Sequence, residues 1–166
     1  QLHNVAGLML ANHISTMIFS PIVGRMITQF GERLTLQIEY VGLFLVFVAY
    51  AGLYWFEWPW EVAAVLYIID HILFAAAFAQ KTYFQKIADP EDQAPTAAVA
   101  FTINHIAAVF LPAALGYLWL VSPDGVYSLA AAMALVSLVL SFMVPRHPAK
   151  GHETTFAPRL TATPAE

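Results

Sequence analysis

The chain has no cysteine, which excludes disulfides, thiolate metal sites and iron–sulfur clusters. Charge is scarce too. Charged residues are 11% of the 166, against 60% hydrophobic residues and a mean hydropathy of +0.66. A soluble domain of that composition would have too little polar surface to cover its core, so the expected solvent for most of the chain is lipid. The alternating polarity of a membrane β-strand is also missing, and lipid cannot satisfy free backbone groups, which leaves helices. No acyl-transfer triad, phosphate-binding glycine loop or metalloprotease helix motif is present, so the sequence carries no enzyme signature. Nothing suggests a nucleic-acid partner, and a net charge of −4 says little where acids and bases are segregated by membrane side.

What is present is five apolar stretches of about 20 residues, near 5–24, 34–54, 62–82, 97–120 and 126–145. At a rise of about 1.5 Å per residue each matches the roughly 30 Å hydrocarbon core. The expected fold is an all-α membrane protein, a polytopic bundle of five transmembrane helices over residues 1–145. All seven basic residues (Arg25, Arg33, Lys81, Lys86, Arg146, Lys150 and Arg159) fall in alternate gaps between these stretches. Basic loops stay cytoplasmic, so the first helix runs inward, the segments 55–61 and 122–125 face outward, and the C-terminus is inside. Trp55, Trp58, Trp60 and Trp119 all fall at the outer ends, as an interfacial aromatic belt requires. The tail, 146–166, with three prolines and scattered polar groups, is expected to be a disordered cytoplasmic terminus. In the inner gap, Asp89-Pro90-Glu91-Asp92 has the form of a helix start, with Asp89 as cap and Pro90 in the first turn, and predicts a short surface helix.

Three of the five stretches carry an adjacent polar–His pair near mid-membrane: Asn12-His13, Asp70-His71 and Asn104-His105. The second and fifth carry none. An ionised Asp at the bilayer centre costs about 2.5–3.5 kcal/mol on insertion scales, so Asp70 should face the bundle interior or a wet cavity. The residues Asp70, His71 and His105 are the candidates for exchanging a proton coupled to transport, and Asn12, His13 and Asn104 are candidate cavity-lining groups. The bland alternative is that these side chains only bond between helices, at about 0.6–2 kcal/mol per contact.

Asn12, Thr16, Ser20 and Gly24 recur every fourth residue and form one seam of the first helix. Ser20 with Gly24, and Ala75 with Ala79, are small-xxx-small pairs that permit close helix approach. Pro21 and Pro112 lie inside membrane helices and can kink them.

The first inner segment reads Gly24-Arg25-Met26-Ile27-Thr28-Gln29-Phe30-Gly31-Glu32-Arg33. It resembles the loop motif of the major facilitator superfamily, roughly G-x-x-x-D-R-x-G-R-R. Gly24, Gly31 and Arg33 match; Thr28 and Gln29 stand where the family has Asp and Arg, and Glu32 replaces a basic residue. Residues 81–119 also look like uncharacterised bacterial members of that superfamily. The resemblance implies a secondary transporter of the bacterial inner membrane, with the five helices here numbered eight to twelve. It implies that eight, ten and eleven, which carry the polar–His pairs, line a cavity, while nine and twelve are peripheral. The implied partners are the bilayer, a small-molecule solute and the N-terminal half of the same transporter. Gln1-Leu2-His3-Asn4 running directly into an apolar helix is expected to be an internal start within such a protein.

Two other readings use the same residues. His13, His71 and His105 on three helices could hold a haem as axial ligands, although no cofactor is required by the transporter reading. Alternatively, the chain is a five-helix accessory membrane subunit without transport of its own.

Overall fold

A computed structural model describes residues 2–157, with side chains from Ala6 onward. The described residues are helical almost throughout and contain no strand. The elements are α1 (Leu2–Trp55), α2 (Trp60–Phe74), a 3₁₀ turn (Ala75–Ala77), α3 (Phe78–Ile87), α4 (Pro90–Val121) and α5 (Pro123–Ser141). Four rods are long and apolar enough to cross a membrane: α1, α2 through α3, α4 and α5.

The first two apolar stretches of the sequence both lie in α1, and Gly31 separates them. Its φ of 83° and ψ of 167° are not helical, and only glycine adopts that region without strain. The segment expected as a loop, 24–33, is therefore helical up to Phe30, with the change of direction concentrated in one residue. Without a break, 54 residues would extend about 80 Å at 1.5 Å per residue. Instead Val23 and Ile27, before the bend, share a buried cluster with Leu36, after it.

The other wall of that cluster is Ala75, Ala76 and Ala79, where the α2–α3 rod tightens into the 3₁₀ turn. Ala79 is 0% exposed. Its methyl side chain lets the two backbones approach, so this predicted small-residue pair does meet a neighbouring helix. Gly42 contributes a second close approach, since a Cβ there would lie 2.6 Å from a methyl of Leu73. By contrast, the space beside Gly24 is open, and the Ser20 hydroxyl bonds back to the Thr16 carbonyl at 2.7 Å. The seam from Asn12 to Gly24 is thus not a close packing face along its whole length.

Asp89 occupies the N-cap position of α4, with Pro90 opening the helix. Its carboxylate does not cap; Oδ1 accepts from Lys150 Nζ at 2.6 Å instead. No separate surface helix forms, because nothing in Glu91–Ala97 breaks the helical backbone and Pro95 is accommodated within it. At the far end a single residue, Ser122, links α4 to α5. Its hydroxyl oxygen accepts from the Gly125 amide at 3.1 Å, and Pro123 begins the helix.

The two ends of the bundle differ chemically. One gathers Tyr50, Tyr54, Trp119 and Tyr127, with Tyr50 and Tyr127 stacked at 4.9 Å and Trp119 edge-on to Tyr127 at 5.7 Å. There the Trp55 indole donates to Asp124 at 3.3 Å. The other end holds the ion pairs Lys86–Glu32 and Lys150–Asp89 and the Arg33 guanidinium 5.9 Å from the Phe142 ring centroid. Residues 146–157, expected as disordered, fold back at this basic end. The Thr155 amide donates to the Met143 carbonyl at 2.8 Å, and the Tyr83 hydroxyl donates to the Glu153 carbonyl. Local turns around Gly151, with φ of 76°, bring these groups together, which composition alone does not reveal. Residues 158–166, including Arg159, lie outside the described part.

The limb 32–55 of α1 and α5 pack along each other, joined by the tyrosine stack and the Arg33–Phe142 contact. Helix α4 is different. It packs mainly on α5, with Trp119 also edge-on to Tyr54 of α1 at 5.9 Å, and none of its 32 residues is buried.

Candidate functional site

Each polar–His pair sits on its own rod, and only in the first does the fold separate the two members by burial. Asn12 is buried on the face of the first limb that continues to Val23 and Ile27, while His13 is exposed. Residues one apart on a helix diverge by about 100°, which here turns Asn12 inward and His13 outward. The Asn12 carbonyl accepts from the Thr16 hydroxyl at 3.0 Å, and its side-chain oxygen has no hydrogen-bond partner among the described residues. Asp70 and His71 are half-buried on α2, at 3.7 Å between Oδ2 and Nδ1. That separation is too long for a hydrogen bond. Asn104 and His105 are exposed on α4.

His71 and His105 share one local arrangement. Nδ1 of each lies 2.9 Å from the carbonyl oxygen four residues earlier, of Tyr67 and of Phe101, and each ring lies against that residue's aromatic ring, at 4.3 and 3.9 Å. Nδ1 must carry the hydrogen to donate to a carbonyl, so in the neutral ring Nε2 keeps its lone pair. Both histidines therefore present Nε2 as a proton acceptor or ligand atom. His13 has no equivalent aromatic residue four positions before it; Met9 stands there.

Neither of two pockets among the described residues gathers the predicted site residues. Asn104 lines a cleft of about 790 Å³ between α3 and α4, together with Gln80, Gln85, Gln93, Thr96 and Phe101. Asp70, His71, His105 and His13 are not among its walls. Among the described residues no three His, Asp or Glu side chains converge as a metal site would require. His71 and His105, the nearest approach to a haem-ligand pair in the sequence, stand on rods that are not packed side by side.

A second pocket, about 420 Å³, lies at the basic end around the bend, and Ile27, Phe30, Gly31, Glu32, Lys86, Arg146 and His147 are among its walls. Of the motif residues, Gly31 makes the bend and Arg33 reaches Phe142. Gly24 and Arg25 lie on the exposed helix before it, where the Arg25 carbonyl accepts from the Thr28 hydroxyl at 2.8 Å.

Two carboxylates outside the sequence-predicted set are buried. Glu32 is 1% exposed and Glu39 3% exposed. Glu32 Oε1 lies 2.5 Å from Lys86 Nζ as an ion pair without hydrogen-bond geometry, and Oε2 of each Glu has no hydrogen-bond partner among the described residues. A signal for them exists: Glu32, Thr35, Leu36 and Glu39 follow the spacing of one helix face, and all four are buried. An acid repeated with that period alongside Leu36 marks the face turned to the neighbouring rod.

No protein-family model, curated protein or solved structure matches this chain.

Proposed function

We propose that the chain is the C-terminal half of a major-facilitator-like secondary transporter, a five-crossing bundle working by alternating access against an N-terminal half. The limbs 2–30 and 32–55 are its first two crossings, the basic end is cytoplasmic, and the membrane is the bacterial inner membrane. The single observation that carries this reading is α4: a 32-residue apolar rod with no buried residue that nevertheless exposes Asn104 and His105. Polar groups are costly against lipid. A second bundle, or a wet cavity between two bundles, removes that cost. The packing of limb 32–55 with α5, the two crossings without polar–His pairs, supports their peripheral numbering as nine and twelve, which leaves the pair-bearing rods free to line a path.

Asp70 is the proton-coupling group in this reading, with His71 as its neighbour and His105 on the opposite wall of the path. The test uses the complete gene product reconstituted in vesicles containing a pH-sensitive dye, after a thermal-shift screen has identified a stabilising solute. Solute addition should move protons in the wild type, and Asp70→Asn should abolish that movement while leaving solute-dependent stabilisation intact. Unchanged proton movement in Asp70→Asn removes Asp70 from the mechanism. A reading frame that does not continue upstream through further membrane helices defeats the half-transporter reading itself.

A further inference from the structure

The pocket at the bend lies away from the polar–His pairs, and the transport reading leaves it without a role. Three of its wall residues carry or can carry positive charge. Lys86 is already committed to Glu32 at 2.5 Å, while Arg146 and His147 have no ion-pair partner among the described residues. The Arg146 backbone is held there closely: its carbonyl oxygen is 3.5 Å from where a Cβ on Gly31 would stand. Against these cations lies Glu32, 1% exposed, whose Oε2 is unpartnered and which forms part of the pocket wall. A buried acceptor without a donor is costly unless a bound group supplies one. Ile27 and Phe30 complete the wall, and the Phe30 ring is largely exposed.

Cations for a phosphate, an unfilled acceptor for a hydroxyl and an apolar flank make an amphipathic recognition set. It stands at the end of membrane-length helices, where headgroups lie, and basic pockets between membrane helices take anionic headgroups. We propose that this pocket binds an anionic phospholipid, with Arg146, His147 and Lys86 meeting the phosphate, Glu32 Oε2 accepting a headgroup hydroxyl and Phe30 lying along the glycerol and upper acyl chain. The proposal rests on the membrane-spanning reading and is independent of transport, so it stands or falls separately from the role of Asp70.

The experiment is native mass spectrometry of the purified full-length chain titrated with phosphatidylglycerol, phosphatidylcholine or inorganic phosphate. One phosphatidylglycerol should be retained in preference to phosphatidylcholine. Arg146→Gln with His147→Gln should weaken retention by about tenfold, Arg146→Lys should retain it, and Lys150→Gln, altering a cation paired to Asp89 outside the pocket, should leave it unchanged. Far-ultraviolet circular dichroism of each variant without lipid monitors folding, and the Arg146→Lys protein keeps the comparison decisive if the double variant misfolds. Equal retention of phosphatidylcholine, or equal weakening by Lys150→Gln, would overturn the proposal by showing generic adhesion. Displacement of the lipid by millimolar inorganic phosphate would overturn the lipid assignment in favour of a soluble phosphate ligand.

Discussion

Lys86 Nζ lies 2.5 Å from Oε1 of Glu32, joining the last turn of α3 to the first turn after the bend in α1. The pair is asymmetric: the carboxylate side chain is 1% exposed and the ammonium side chain 51%. Its weight lies on the Glu32 side, because a buried charge without a partner costs far more than a solvated one. The surrounding motif offers no substitute cation at Thr28 or Gln29.

Lys86→Met should therefore lower stability by about 1–3 kcal/mol, below the full cost of breaking a buried pair because the ammonium is half in solvent. Glu32→Gln combined with Lys86→Met should recover most of that loss. Thermal unfolding of the purified variants in one detergent is the measurement; a double variant no better than Lys86→Met would show that the ion pair is not the cause.

Gly31→Ala should destabilise the chain by about 1–3 kcal/mol, since φ of 83° is a region that an alanine adopts only under strain. Gly24→Ala lies in a regular helix beside open space, and should be neutral or stabilising by about 0.5–1 kcal/mol. The same unfolding experiment compares the two glycines. Equal effects would contradict the assignment of the bend to Gly31 alone.

Orientation is open to a labelling experiment, to which this chain contributes no cysteine background of its own. A cysteine at Glu57, in the exposed segment between α1 and α2, should react with a membrane-impermeant maleimide added to intact cells. One at Gln85, exposed at the basic end, should react only after the cells are opened. The reverse pattern would invert the membrane topology and with it the numbering of the crossings.

How much was legible varied with the range of the interaction. Ala75 and Ala79 were readable as an approach face because two small side chains four apart produce a flat strip on any helix, and the strip does meet Val23, Ile27 and Leu36. Asp89 and Pro90 were readable as a helix start, although Lys150, 61 positions away, takes the carboxylate from its capping role. Gly31 stood out as one of two glycines, and nothing in the sequence distinguishes it from Gly24; the difference is the backbone angle that each must adopt. An acid near a helix end reads from composition as solvated, whereas Glu32 and Glu39 share a face that is buried.

Hydropathy, helix length and the placement of basic residues depend on each residue's own transfer free energy, which is why the class of protein and its likeness to a polytopic bundle could be derived from the chain alone. That Asn12 rather than His13 turns inward, where the tail settles, and that Arg146 and His147 meet Lys86 and Glu32 around one pocket depend on contacts between residues far apart in the sequence, such as Tyr83 with Glu153 and Lys86 with Glu32. Such contacts arise from packing geometry, to which no local property of the chain is sensitive, and only the folded arrangement decides them.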